Sequence, residues 1–307
     1  MPRKLKSDIK SRQVPRDKES QMEFVEPQVY LIAESKINFD QLKAMLASVG
    51  EETATSWFAR TKEASKSEGE LLTEVAGRIC YKSFGVGLNP NVTKIRESSR
   101  DYIDNTLSKG DGSIFEHATC TFAFLNVSRV LTHELVRHRV GVAISQESLR
   151  YVRPTHLRFW LPPDLQEKKT EVKSIVEQIE QNYHALERSY GWDKLNFDAK
   201  KRITSALRRV MPEGMATSIV WSANHRTIRH VIAMRTTESA EIEIRFVFDK
   251  VARMMKERFP LIYNDFEFTE LEERRERGDQ STTRFERRGW DFHPWRDAPR
   301  TSFLHAI

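Results

Sequence analysis

The chain has 307 residues and a mass of 35.9 kDa, enough for one large domain or two modest ones. Its 39% hydrophobic content can build a core, but no apolar run approaches a membrane span, and Cys80 and Cys120 are its two cysteines; a transmembrane protein, a disulfide framework and a cysteine-ligated zinc site are excluded. Lys plus Arg (50) exceed Asp plus Glu (44), a formal +6 that suits a phosphate-bearing partner without separating nucleotide from nucleic acid.

Residues 1–26 read as a solvated, disordered basic arm: charges of both signs, no apolar periodicity, and no apolar stretch of the kind a secretory leader needs. With two thiols and no leader, the cytoplasm is the expected home. Order is expected from Pro27, with a strand at Val29–Ile32 and helices over about 38–49, 68–81 and 97–109, the last stopped by Gly110-Asp111-Gly112. Thr119–Val127 alternates so that Cys120, Phe122 and Phe124 share one face of a strand. Ser128 can cap a helix running to about Arg139, followed by a polar loop and a short strand near Arg150–Arg153. Val172, Ile175, Val176, Ile179, Tyr183 and Leu186 mark an amphipathic helix over 169–190, and another covers about 197–210. A strand at Thr217–Trp221 leads to Asn224, a cap for a helix over 225–235; a last helix spans about 239–258. Residues 266–307 form a charged tail, with Trp290, Phe292 and Trp295, that either floats or docks on a neighbour. Strands and helices mix without a regular βαβ rhythm, which predicts an α+β fold: a mixed sheet packed with long helices, filling 27–265.

Neither a phosphate-binding glycine loop nor a Gly-x-Ser-x-Gly elbow occurs, and no ligand spacing announces a metal, so none is expected. Three segments carry possible chemistry. Arg137-His138-Arg139, followed by Ser145 to Tyr151, is either a basic helix end with a Glu134–His138 pair one turn apart or a site where an anion holds mutually repelling groups together. Asn224-His225-Arg226, His230 and Arg235 are either a cap with solvated cations or a ligand surface. Ser113 to His117, entering the alternating strand, holds a Glu-His pair whose ordinary role is structural, bonding backbone at a sheet edge, with a functional role as the other reading.

Taken in order, these segments resemble the flavin-dependent thymidylate synthases. RHRVGVAISQESLRY (137–151) is similar to the family's Arg-His-Arg, spacer, Ser-x-Arg-Tyr signature; AGRICYKS (76–83), GSIFEHATCTFAF (112–124), SRVLTHELVRHR (128–139), RRVMP (208–212) and NHRTIRHVIAMRTTESAEIEIR (224–245) match companion elements. The resemblance implies FAD-dependent methylation of dUMP to dTMP, with methylenetetrahydrofolate as one-carbon donor and NADPH as reductant. It implies FAD contacts by Ser113, Arg137, His138, Arg139, Gln146, Asn224, Arg226 and His230. It implies dUMP contacts by Glu134, Glu147, Ser148, Leu149, Arg150, Arg208 and Arg235, with Ser148 and Arg235 at the reacting end and Arg235 polarising the pyrimidine. It further implies a homotetramer whose sites draw on several subunits, the triplet and the 224–235 helix coming from different chains.

Three departures bear on substrate. Eight residues separate Arg139 from Ser148 where the signature has seven, so Gln146 or Glu147 fills the acidic position; Asp111 replaces a common histidine, and Glu134 a glutamine. An ionised glutamate only accepts hydrogen bonds, which leaves UMP or dCMP methylation as an alternative unless Glu134 pairs with His138 or an arginine. A nucleic-acid-binding homologue without chemistry is the other alternative, although the usual aromatic–basic interleaving is missing and no nucleic-acid partner is expected.

Overall fold

A computed structural model describes residues 22–64, 67–237, 239–270 and 283–287. Its elements in chain order are β1 (Glu23–Phe24), β2 (Gln28–Glu34), α1 (Phe39–Ala64), α2 (Glu68–Tyr81), α3 (Ser99–Lys109), β3 (Thr119–Ser128), α4 (Arg129–Leu135), β4 (Val142–Gln146), β5 (Arg158–Phe159), α5 (Lys169–Arg188), α6 (Phe197–Leu207), β6 (Ala216–Asn224), α7 (His225–Arg235), α8 (Ile242–Arg258), β7 (Phe266–Glu270) and β8 (Thr283–Arg287). The fold is α+β, as expected. Four antiparallel strands in the order β2-β3-β6-β4 make the main sheet; β1 with β5, and β7 with β8, form two small ones. Among the described residues no helix is long and apolar enough to cross a membrane.

One face of the main sheet supplies the core. Cys120, Phe122 and Phe124 of β3 stand opposite Ala223, Trp221 and Ile219 of β6, and all six are essentially inaccessible to solvent. Helices α7 and α8 cover them with Ile228, Val231, Ile232, Val247, Phe248 and Val251. Cys120 lies within this layer, where burial pushes its thiol up to about 12 and makes it unreactive. Cys80, near the end of α2, is exposed, its thiol donating to the Ala76 carbonyl. A second cluster joins Leu46, Trp57 and Phe58 to Leu71, Val75 and Phe84; it explains why α1 runs past the expected stop at 49, with a kink at Gly50. Arg78, completely buried, is satisfied by Glu74 and by the carbonyls of Ser83 and Arg96.

Four sequence expectations need correction. The ordered chain begins before Pro27: Met22 is buried against Leu149, Leu157 and Met215, and Glu23–Phe24 pair with Arg158–Phe159. Helix α4 stops at Leu135 rather than Arg139, because the chain turns through Gly141 in the left-handed region (φ 68°) and the turn's carbonyls at Val140 and Gly141 are taken by Thr227 and Asn224. The strand expected near Arg150–Arg153 is instead a turn, with Tyr151 and Val152 donating to the Ser148 carbonyl. The supposed polar loop holds β4, whose small residues Ala143 and Ser145 masked the alternation of Val142 and Ile144. At the far end Phe266 is buried and β7 pairs with β8, whereas residues 271–282 and 288–307, including Trp290, Phe292 and Trp295, lie outside the described residues, as does the arm before Met22.

Phe124 stacks on Phe122 (5.9 Å between centroids) and meets Trp221 and Phe248 at 6.2 and 6.1 Å. Phe124→Ala is expected to cost about 3–5 kcal/mol of folding stability, read as a lower midpoint in chemical denaturation.

Candidate functional site

The antiparallel pairing of β3 with β6 sets the site's layout. Thr119 faces Asn224, and Ser128 faces Ala216, so α4 and α7 leave the sheet from opposite ends. Each start is capped as the sequence predicts: Ser128 accepts from the Leu131 amide, and Asn224 from the Thr227 amide. The chain after α4 travels back to the Asn224 end, where Gly141 receives the Asn224 amide on its carbonyl. A Cβ at Gly141, whose φ is 68°, would fall 2.5 Å from the side-chain Nδ2 of Asn224, so this turn demands glycine.

At that end the residues likened to flavin contacts come together. The His138 and His230 rings meet edge to face at 5.9 Å. Arg226 pairs with Glu116 at 2.5 Å and lies over Gly112, next to the exposed Ser113. Arg137 and Arg139 are exposed, and among the described residues no hydrogen bond or ion pair engages either guanidinium. Two free guanidiniums beside a neutral imidazole suit a diphosphate, so the donor set fits FAD. Within this single chain the triplet and α7 are already adjacent, although they were expected from different subunits. Gln146 stands apart from this group: its amide donates to Thr132 Oγ1 of α4 at 3.1 Å.

Arg235, at the last turn of α7, is the most fully determined group of the site. Its Nη1 donates to Glu134 Oε2 at 2.7 Å, its Nη2 to the Glu134 carbonyl at 3.1 Å, and its Nε to His138 Nε2 at 2.8 Å. Glu134 therefore pairs with an arginine. His138 must accept at Nε2, so the imidazole is neutral and carries its proton on Nδ1. Burial, reinforced by the nearby charges of Arg235, His230 and Arg137, pushes its pKa down to about 4.

Of the residues likened to nucleotide contacts, Glu134 and Arg235 lie with His138, whereas Glu147, Ser148, Leu149 and Arg150 follow β4 towards the other end of the sheet. β4 carries the chain from Val142, opposite Ala223, to Gln146, opposite Ile219; the Glu147 amide then donates to the Ser218 carbonyl. Ser148 Oγ accepts the Arg150 amide at 3.3 Å, Leu149 is buried against Leu157 and Val176, and Arg150 is exposed beside Tyr151. Arg208 is exposed in the short turn of helix after α6. Sequence reasoning missed two members of this neighbourhood. Arg129 and Thr132, three apart on α4, face the exit of β4, and neither differs in sequence from an ordinary solvated helix residue.

The sequence matches a family model described as thymidylate synthase complementing protein over residues 64–261. It is similar to a flavin-dependent thymidylate synthase of Corynebacterium aurimucosum, 33% identical over 215 residues, covering 67% of this chain and 83% of that protein. Its identity to the Mycobacterium marinum protein of the same name is 34% over 211 residues, covering 66% and 82% of the two chains. In structure it is similar to a UMP/dUMP methylase of Streptomyces cacaoi bound with 5-Br UMP, with a TM-score of 0.54 at 16% identity over 79% of this chain and 95% of that one, a likeness of fold.

The Arg235–His138 bond has a spectroscopic consequence. The His138 imidazole is expected to stay neutral, as the Nδ1–H tautomer, until pH falls to about 4, and Arg235→Ala should raise that pKa towards the ordinary 6.5 by removing a neighbouring cation. Histidine-selective NMR titration of the two proteins checks both.

Proposed function

Because the chain belongs to the flavin-dependent thymidylate synthase family, we propose that it methylates C5 of dUMP to give dTMP, with FAD as its cofactor, methylenetetrahydrofolate as one-carbon donor and NADPH as reductant. Arg235, held between Glu134 and neutral His138, is the observation that carries this reading. A guanidinium aligned in advance by three hydrogen bonds is a placed cation, able to stabilise negative charge that develops on a pyrimidine carbonyl without reorganising. His138 links that cation to the turn where Arg137 and Arg139 would take the cofactor's diphosphate, with Ser113, Asn224, Arg226 and His230 around them. When bound, FAD supplies the hydride that completes a methyl group. Ser148, Leu149 and Arg150 form a turn suited to the nucleotide, with Arg208 facing its phosphate. Cys120, with its thiol held protonated in the core, offers no nucleophile. Assembly as a cytoplasmic homotetramer belongs to the same reading, and light scattering tests the assembly.

Purified protein is expected to be yellow and, once supplied with dUMP, methylenetetrahydrofolate and NADPH, to form dTMP. Arg137→Ala and Arg139→Ala should each lower flavin content on purification; full flavin in both variants would remove the triplet from the cofactor site.

Glu134 decides between pyrimidines. Its Oε2 is committed to Arg235, so it is not aimed at a cytosine amino group. Glu134→Gln should bind dUMP within about tenfold of wild type, a difference of ~1.4 kcal/mol, and neither form should methylate dCMP. Product analysis with dUMP, UMP and dCMP checks this; dCMP turnover that disappears in Glu134→Gln would contradict it.

A further inference from the structure

Several guanidiniums of this protein are matched with care. Arg78, Arg229 and Arg235 each have their guanidinium nitrogens bonded to carboxylates and carbonyls. Arg129 does not. Its Nη1 is shut away from solvent and has no hydrogen-bond partner. Arg208 faces it with like charge, and the carboxylates of Glu147 and Glu213 act on it at longer range without reaching Nη1. Glu213 is turned towards His133, 3.9 Å away. A dry, unpartnered cationic donor is costly, and a second guanidinium beside it makes it more so. Such an arrangement is balanced by a multivalent anion with several acceptor oxygens.

The backbone places this vacancy in bonding beside the nucleotide turn. The Arg129 amide donates to the carbonyls of Glu213 and Met215, just after the turn bearing Arg208. Thr132, on the same side of α4, bonds Gln146 at the end of β4, two residues before Ser148. Arg129 and Arg208 thus lie close together, and α4 is tied through Thr132 to the strand end that leads into the Ser148 turn.

We propose that Arg129 is a further substrate-binding residue: with Arg208 and the Ser148 turn it clasps the 5′-phosphate of the nucleotide, its buried Nη1 aimed at a phosphate oxygen. The inference rests on the reading of the protein as a pyrimidine-nucleotide methylase and adds a residue to its substrate site. Glu147 and Glu213 keep the two arginines apart while leaving their donors for the phosphate dianion. The nucleoside lacking that phosphate makes no use of Arg129.

The test compares wild-type holoenzyme with Arg129→Met and Arg129→Lys by calorimetric titration and thermal melts, using dUMP, UMP, deoxyuridine and inorganic phosphate. Arg129→Met should keep its flavin and, without nucleotide, melt at or above the wild-type temperature, because an orphaned buried donor has been removed. It should bind dUMP about thirtyfold more weakly, as the loss of a charge-assisted bond implies, and deoxyuridine equally well. If Arg129→Met fails to fold, Arg129→Lys decides: weaker dUMP binding with unchanged deoxyuridine binding supports the assignment. A variant with wild-type dUMP affinity overturns it, as does an Arg129→Met protein whose nucleotide-free melting point falls while dUMP affinity holds. A wild type that binds UMP but not dUMP overturns the substrate reading alone, and the same comparison with UMP then decides the role of Arg129. A wild type binding neither nucleotide nor phosphate overturns both.

Discussion

The hydrogen-bonded ladder between β3 and β6 is the constraint from which the rest of the molecule follows. The strands run in opposite directions, so the helices that continue them begin at opposite ends of the sheet. β4 then bonds to the other edge of β6 and brings the chain back again. Its five residues span roughly 13 Å at about 3.3 Å per residue. Over that length the chain passes from the Asn224 end of the ladder, where Val142 faces Ala223, to the end where Gln146 faces Ile219, two residues before Ser148. Strand polarity therefore sets two groups of basic residues apart on one chain, and the aromatic layer of Phe122, Phe124 and Trp221 keeps the ladder in register.

Charge in this protein is sorted by burial. Arg229 is buried and answered by both oxygens of Asp265 and the carbonyl of Ile262. Arg78 is buried and answered by Glu74. Exposed pairs such as Lys36 with Glu68 add little, since water screens them. Against that background, an exposed guanidinium without a partner, as at Arg137 or Arg139, costs nothing, whereas a sheltered one, as at Arg129, is anomalous. The net +6 locates neither; the distinction between a solvated cation and a waiting one exists only in three dimensions.

What could be read from sequence was what depends on short-range pattern. The period-two run through Cys120, Phe122 and Phe124 announced the central strand, and Ser128 and Asn224 announced two helix starts, because a cap acts over three residues. The ordered motifs around Arg137 and Arg235 led to the family. What could not be read depends on contacts distant in sequence. β4 is a strand because β6 has a free edge, and its small residues give no pattern of their own. The stop of α4 at Leu135 depends on Thr227 and Asn224, some ninety residues further on, taking up the turn's carbonyls. Glu134 could be narrowed to a few partners by charge alone, but choosing Arg235 required the fold.

Helix α4 links these observations, since both of its ends are held by side chains from the C-terminal half. At its start Glu243 accepts from the Ser128 amide at 2.6 Å and from the Ser128 hydroxyl; burial pushes that carboxyl up to about 7. At its finish Arg235 donates to the Glu134 carbonyl, where a helix end carries partial negative charge, and to the Glu134 carboxylate. The cation suited to catalysis is therefore also the cap of the helix that delivers the triplet. Its position is set by backbone as well as side chain, which fixes it more tightly than a lone ion pair would. Arg129 sits in the first turn of the same short helix and Glu134 in its last, so one seven-residue element connects the Arg129–Arg208 pair to the bonds of Arg235 with Glu134 and His138.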